Sequence, residues 1–150
     1  MHHYLKFAAM IATSTVVMFG LMYLNVYAVD HIFWSQTRGY MALIMGATMA
    51  FVMLLFMWGM YANKRANVAI LAASVLVFAA SLYLVRSQAT VGDVAWMKAM
   101  IPHHSIAILT SRRATITDPR VRELAGRIIE AQEREIGEMK ALIADLQAKR

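Results

Sequence analysis

Between Trp96 and His104 the sequence reads Trp-Met-Lys-Ala-Met-Ile-Pro-His-His. This places two thioethers, Met97 and Met100, and two imidazoles, His103 and His104, within about two helical turns. On an α-helix Met97, Met100 and His104 share one face, while His103 sits about 100° around from His104. Thioether sulfur with imidazole nitrogen is a soft donor set. It suits Cu(I), whereas Mg²⁺ and Ca²⁺ take oxygen and Zn²⁺ rarely takes a thioether. The same residues also have a purely structural explanation, because Met at helical spacing fills cores and a histidine on an apolar face is usually a satisfied core residue. Adjacent histidines in Met-rich surroundings add weight to the metal reading. A separate copper-capable feature is Met1-His2-His3, whose third-position imidazole could chelate Cu(II) with a free amino terminus.

The elements that must position these residues are set first by composition. The 150 residues are 60% hydrophobic and only 16% charged, with a mean hydropathy of +0.52. This is far from the balance of an ordinary soluble domain and indicates a membrane protein. The formal net charge of +6 does not form a phosphate-binding stripe. Its basic residues flank apolar runs, which is a topology signal and argues against a nucleic-acid partner. With no cysteine and 13 methionines, disulfides, thiolate zinc sites and cysteine nucleophiles are excluded. Thioethers are the only sulfur, and they hold soft metal even in an oxidising compartment.

Three apolar runs predict transmembrane helices over about 5–29, 41–61 and 68–85, giving a membrane domain over 1–89. The first could also be a signal peptide, with Val26-Tyr27-Ala28 resembling a cleavage site, but its apolar stretch is too long for a typical one. The second span carries Met41, Met45, Met49, Met53 and Met57 at intervals of four, followed by Met60. Four residues overshoot a turn by about 40°, so this stripe winds around the helix and reads chiefly as flexible apolar filler. The basic loop at Lys64-Arg65 puts the amino terminus in the cytoplasm of a bacterial inner membrane and the carboxy-terminal segment in the periplasm. No charged residue or histidine lies mid-span, which weakens the case for a proton-coupled or ion-conducting pathway.

Residues 90–150 read as a helical hairpin. In its first helix Val94, Met97, Ile101, His104, Ile108 and Ser111 form a seam, and Pro102 either kinks that helix beside the histidines or restarts it. Asp118-Pro119 signals the start of the second helix. The seam of that helix is read as Val121, Ala125, Ile128, Gln132, Glu135, Met139, Leu142 and Leu146. An unpaired buried Glu135 would be expensive, so it must meet a partner, water or a metal site. Antiparallel packing brings Gln132 and Glu135 to the depth of Met97 to Ile101, where they would orient the imidazoles, with Met139 a turn beyond.

Met100-Ile101-Pro102-His103-His104, Asp118-Pro119-Arg120-Val121-Arg122-Glu123-Leu124-Ala125, and the run Ile128 to Met139 together resemble the family called domain of unknown function 305. The resemblance covers about residues 93–147. It implies a ferritin-like helical bundle and, as in some members, periplasmic copper binding through Met and His. The positions it matches are Met100, His103, His104, Gln132, Glu135 and Met139, whereas Met97 is added from spacing. Longer members carry two hairpins where this chain has one. A lone hairpin buries too little to be secure, so a homodimer completing a four-helix bundle is expected.

The expected architecture is therefore all-α: three transmembrane helices followed by an extramembrane hairpin. The expected function is non-enzymatic, namely membrane-anchored sequestration or hand-over of Cu(I), with Met97, Met100, His103, His104 and Met139 as ligands. The lipid bilayer, a second copy and a copper-delivery or membrane-complex partner are the expected associates. The rival readings are a structural dimerisation or docking module without metal and, less favoured, a small copper transporter built on the Met stripe.

Overall fold

The structure is a computed structural model that describes residues 2–149, apart from the side chain of His2. The amino-terminal Cu(II) chelate, which needs Met1, lies outside the described residues. Among the described residues five helices make up the fold: α1 (His2–Leu21), α2 (Gln36–Phe56), α3 (Lys64–Ser87), α4 (Asp93–Arg113) and α5 (Pro119–Ala148). Short 3-10 turns occupy Val29–His31 and Trp58–Met60, and there is no strand among the described residues. The chain divides into two compact units, one of Met1–Met22 with Thr37–Thr90 and the other of Tyr23–Gln36 with Val91–Arg150.

The first unit holds α1, α2 and α3, all three long and apolar enough to cross a membrane. Small residues let the helices approach closely. The buried face of α2 is Ala42, Gly46, Ala47 and Ala50, closed by Leu54. A Cβ built on Gly46 would overlap Thr15 Oγ1 on α1, so the Thr15 side chain would have to shift for any larger residue at that crossing. At one end Asn67 is fully buried. Its amide donates to the Tyr61 carbonyl at 3.2 Å, and its oxygen accepts from the Tyr4 hydroxyl at 2.7 Å. Asn63 caps α3 by accepting from the Ala66 N–H. Gln88 closes the other end with a left-handed φ of 52°.

All three apolar helices differ in extent from the sequence expectation. The first helix stops at Leu21 instead of near 29, α2 begins at Gln36 and ends at Phe56 instead of 61, and α3 runs longer, over Lys64–Ser87. Residues 22–29 are apolar enough to read as helix, but segment 23–36 is part of the second unit and packs against its hairpin. Met57 and Met60 consequently fall outside α2. Met45, Met49 and Met53 are half-buried beside the small-residue face, and Met41 is exposed.

The second unit is the α4/α5 hairpin together with segment 23–36. Asp118 caps α5 by accepting from the Arg120 N–H at 2.9 Å, and Pro119 takes the first helical position. Its core is Met97, Ile101, Ile108, Ile136, Met139 and Ile143, with Val94, Met100, Ile129, Leu146 and, from the loop, Phe33 packed against it. The inward face of α5 thus uses Ile136 and Ile143 where the sequence reading placed Glu135 and Leu142, and Leu142 is 52% exposed. Helix α4 runs unbroken through the fully buried Pro102, so it does not restart there.

Candidate metal centre

The Met/His residues of α4 and α5 occupy three different environments. Met97 and Met139 lie inside the hairpin core, 5% and 7% exposed, among isoleucines. Met100 is half-buried at the edge of that core, and His103 is exposed. His104 is half-buried and held at both ring nitrogens. Its Nδ1 lies 3.0 Å from the Met100 carbonyl, one turn earlier. Its Nε2 lies 2.7 Å from Glu135 Oε2 on α5.

This geometry restricts the chemistry of His104. A carbonyl only accepts, so Nδ1 donates to it, and an ion could reach the ring only at Nε2, in place of the proton shared there with the Glu135 carboxyl. An ion arriving there must displace Glu135. Gln132 is half-buried one turn before Glu135. The rings of His103 and His104 stand edge-on with centroids 6.0 Å apart. Among the described residues the His103 ring makes no hydrogen bond, and no three His, Asp or Glu side chains converge.

Residues 83–150 match the family described as "Domain of unknown function (DUF305)". The matched segment is 68 of the chain's 150 residues. The match begins in the last turns of α3 and takes in all of α4 and α5, and segment 23–36 lies outside it. A curated relative, "Uncharacterized protein L153" of Acanthamoeba polyphaga mimivirus, is 41% identical over 64 residues. That alignment covers 41% of this chain and 42% of the relative, so the chain spans less than half the length of the protein it matches. No solved structure matches the chain.

A second polar centre, which sequence reasoning missed, joins the DUF305 segment to the loop outside it. Ser105, directly after the two histidines, is fully buried. Its Oγ accepts the Tyr27 N–H at 2.7 Å and lies 2.9 Å from His31 Nδ1. With one oxygen lone pair engaged by Tyr27, the hydroxyl proton is available to Nδ1, and a neutral His31 then carries its own proton on Nε2. Asp30 Oδ2 lies 4.0 Å from that nitrogen, beyond hydrogen-bond reach. Asp30 is paired instead with Lys140 of α5 at 2.5 Å. Arg112 of α4 stacks over the Tyr27 ring, 5.1 Å from its centroid. Although serine, histidine and aspartate follow one another here, the serine has no exposed surface at which to meet a substrate. The group is a clasp between loop and hairpin. Burial and then Lys140 hold the His31 imidazole below its ordinary value, with Asp30 partly opposing. The Lys140 hydrogen bond in turn holds the Asp30 carboxyl below the usual carboxylate range.

Proposed function

We propose that this chain is a membrane-anchored copper-binding protein that holds Cu(I) on the outer face of α4 and sequesters it or passes it to a delivery partner. The observation that carries this reading is His103. It is exposed, free of hydrogen bonds among the described residues, and three positions after Met100, about 60° around the helix from it. In a chain without cysteine, thioether and imidazole are the soft donors available. His104 is committed to Met100 and Glu135, while Met97 and Met139 are in the core. His103 and Met100 are therefore the donors an arriving ion meets first.

One imidazole and one thioether per chain suit a site shared by two chains. We place that site in a homodimer whose paired hairpins form a ferritin-like four-helix bundle. The exposed Trp96 on α4 and the exposed Leu124 and Leu142 on α5 supply apolar surface for a second copy. The basic Lys64-Arg65 loop favours a bacterial inner-membrane anchor with a cytoplasmic amino terminus and a periplasmic hairpin.

The alternative is a docking or dimerisation module without metal, favoured by the buried thioethers and the satisfied His104. Anaerobic Cu(I) titration of the full chain in detergent against a chromogenic competitor, with sedimentation to count chains, separates the two. The copper reading expects saturation at one Cu(I) per two chains and at least a ten-fold loss of affinity in a folded His103→Ala variant. A folded dimer that leaves the competitor its copper refutes it and leaves the docking module.

A further inference from the structure

Helix α1 has 20 residues and α2 has 21, about 30 Å each, which crosses the hydrocarbon of a bilayer with little to spare. Leu21 and Gln36 therefore lie near its edge. The chain between them closes on itself, since the Ser35 N–H donates to the Tyr23 hydroxyl at 3.1 Å. Toward the hairpin this loop sends the Tyr27 N–H, the His31 ring and Phe33. Its other side is apolar. Phe33 and the fully buried Ser35 alternate with Ile32 and Trp34, as side chains of an extended chain do, and these two are 48% and 68% exposed. Leu24, at the start of the loop, is 77% exposed.

Large apolar side chains turned outward are costly in water and ordinary at a lipid interface, where tryptophan concentrates. Charge does not oppose lipid here, because the one carboxylate of the segment, Asp30, is paired with Lys140. The turn between α4 and α5 is built differently. It carries Thr115, Thr117 and Asp118 between Arg113 and Arg120, the composition of a loop that meets water.

We propose that Leu24, Ile32 and Trp34 dip into the lipid interface, so that segment 23–36 grips the hairpin with one face and the bilayer with the other. The apolar surface is continuous with two spans. Trp34 stands two residues before α2 and Leu24 three after α1, at most about 7 and 10 Å of chain. The interfacial layer is itself about 5–8 Å deep in each leaflet, so neither side chain can stand far from it. The inference rests on α1 and α2 as membrane spans and is independent of the metal reading.

The chain has no cysteine, so nitroxides attach only where cysteines are introduced. Leu24→Cys and Ile32→Cys report the loop, and Leu43→Cys, exposed within α2, reports the span. In the full chain in phosphatidylcholine vesicles, power saturation compares collisions with oxygen, which concentrates in lipid, and with a water-soluble nickel chelate. Oxygen should exceed nickel at all three sites, by a smaller ratio in the loop than at Leu43. Trp34 gives a second reading that leaves the loop unaltered. As the sole tryptophan after Trp58→Phe and Trp96→Phe, its emission should fall by roughly half when the lipid is brominated close to the headgroup, in keeping with an interfacial depth. Nickel exceeding oxygen at Leu24 and Ile32, with Leu43 in lipid, overturns the proposal and leaves the spans. Nickel exceeding oxygen at Leu43 overturns both. Trp34 emission that brominated lipid does not change also overturns it: access to aqueous acrylamide would then put the loop in water, and shielding from acrylamide would put a protein chain over it.

Discussion

His104 Nε2 and Glu135 Oε2 stand 2.7 Å apart, tying α4 to α5 directly beside the exposed His103. The Glu135 side chain is 42% exposed, which places this bond toward the weaker end of charge-assisted hydrogen bonds, about 1 kcal/mol. Glu135→Leu should therefore lower the melting temperature of the full chain measurably in scanning fluorimetry, whereas Glu135→Gln, which still reaches the ring, should lower it less. Equal effects of the two variants would mean that the contact contributes packing and not polarity.

At Ser105 the expected loss is larger. Replacing this buried hydroxyl by Ala leaves the Tyr27 N–H and the His31 ring without their partner, at a cost of about 1–3 kcal/mol. A Ser105→Ala chain with unchanged denaturant midpoint would show that water fills the gap.

Asp30 gives an acid-side prediction. Its carboxyl is held low by Lys140, so the pair contributes stability that is present above the usual carboxylate value and is lost as pH falls through the lowered one. Asp30→Asn should flatten that acid limb of the melting-temperature profile. A full acid limb in the variant would assign it to other carboxylates.

Between α1 and α2, a Cβ on Gly46 would overlap Thr15 Oγ1. Gly46→Val should cost about 1–3 kcal/mol by overpacking, seen as earlier thermal unfolding in detergent. Gly59, around which a Cβ meets nothing within 4 Å, is the control and should tolerate Ala.

Leu142→Glu places a charge on a residue that is half exposed and outside the hairpin core. In the proposed homodimer this should favour the monomer in sedimentation without lowering the melting temperature of the hairpin. A dimer that persists would move the self-association surface elsewhere.

Local chemistry was readable where one residue decides the outcome. Asp118 and Pro119 announce the start of α5 by capping and fixed φ, and they form that start. The three apolar runs likewise give three long helices, because hydropathy over some 20 residues outweighs any single position. The face of α5 was not readable. Ile128/Ile129, Glu135/Ile136 and Leu142/Ile143 are adjacent pairs with an apolar choice at each, and one step of 100° changes which member points inward. The partner helix selected Ile129, Ile136 and Ile143, leaving Glu135 at the edge for His104. The Ser105 clasp was invisible for another reason: Tyr27 and Ser105 are 78 residues apart, and neither is unusual where it stands. An apolar stretch such as 22–29 reads as more helix until its hydrogen-bonding partner is known.

Segment 23–36 and the hairpin belong to one folded unit, yet α2 and α3 lie between them in the sequence. If both helices cross the bilayer, the chain returns to the side it left and the two pieces meet. If either fails to insert, a membrane separates Tyr27 from Ser105 and the unit cannot close. Closure of this unit is therefore tied to the threading of a part of the chain it does not contain: α2 and α3 must insert together or not at all for Tyr27 to reach Ser105.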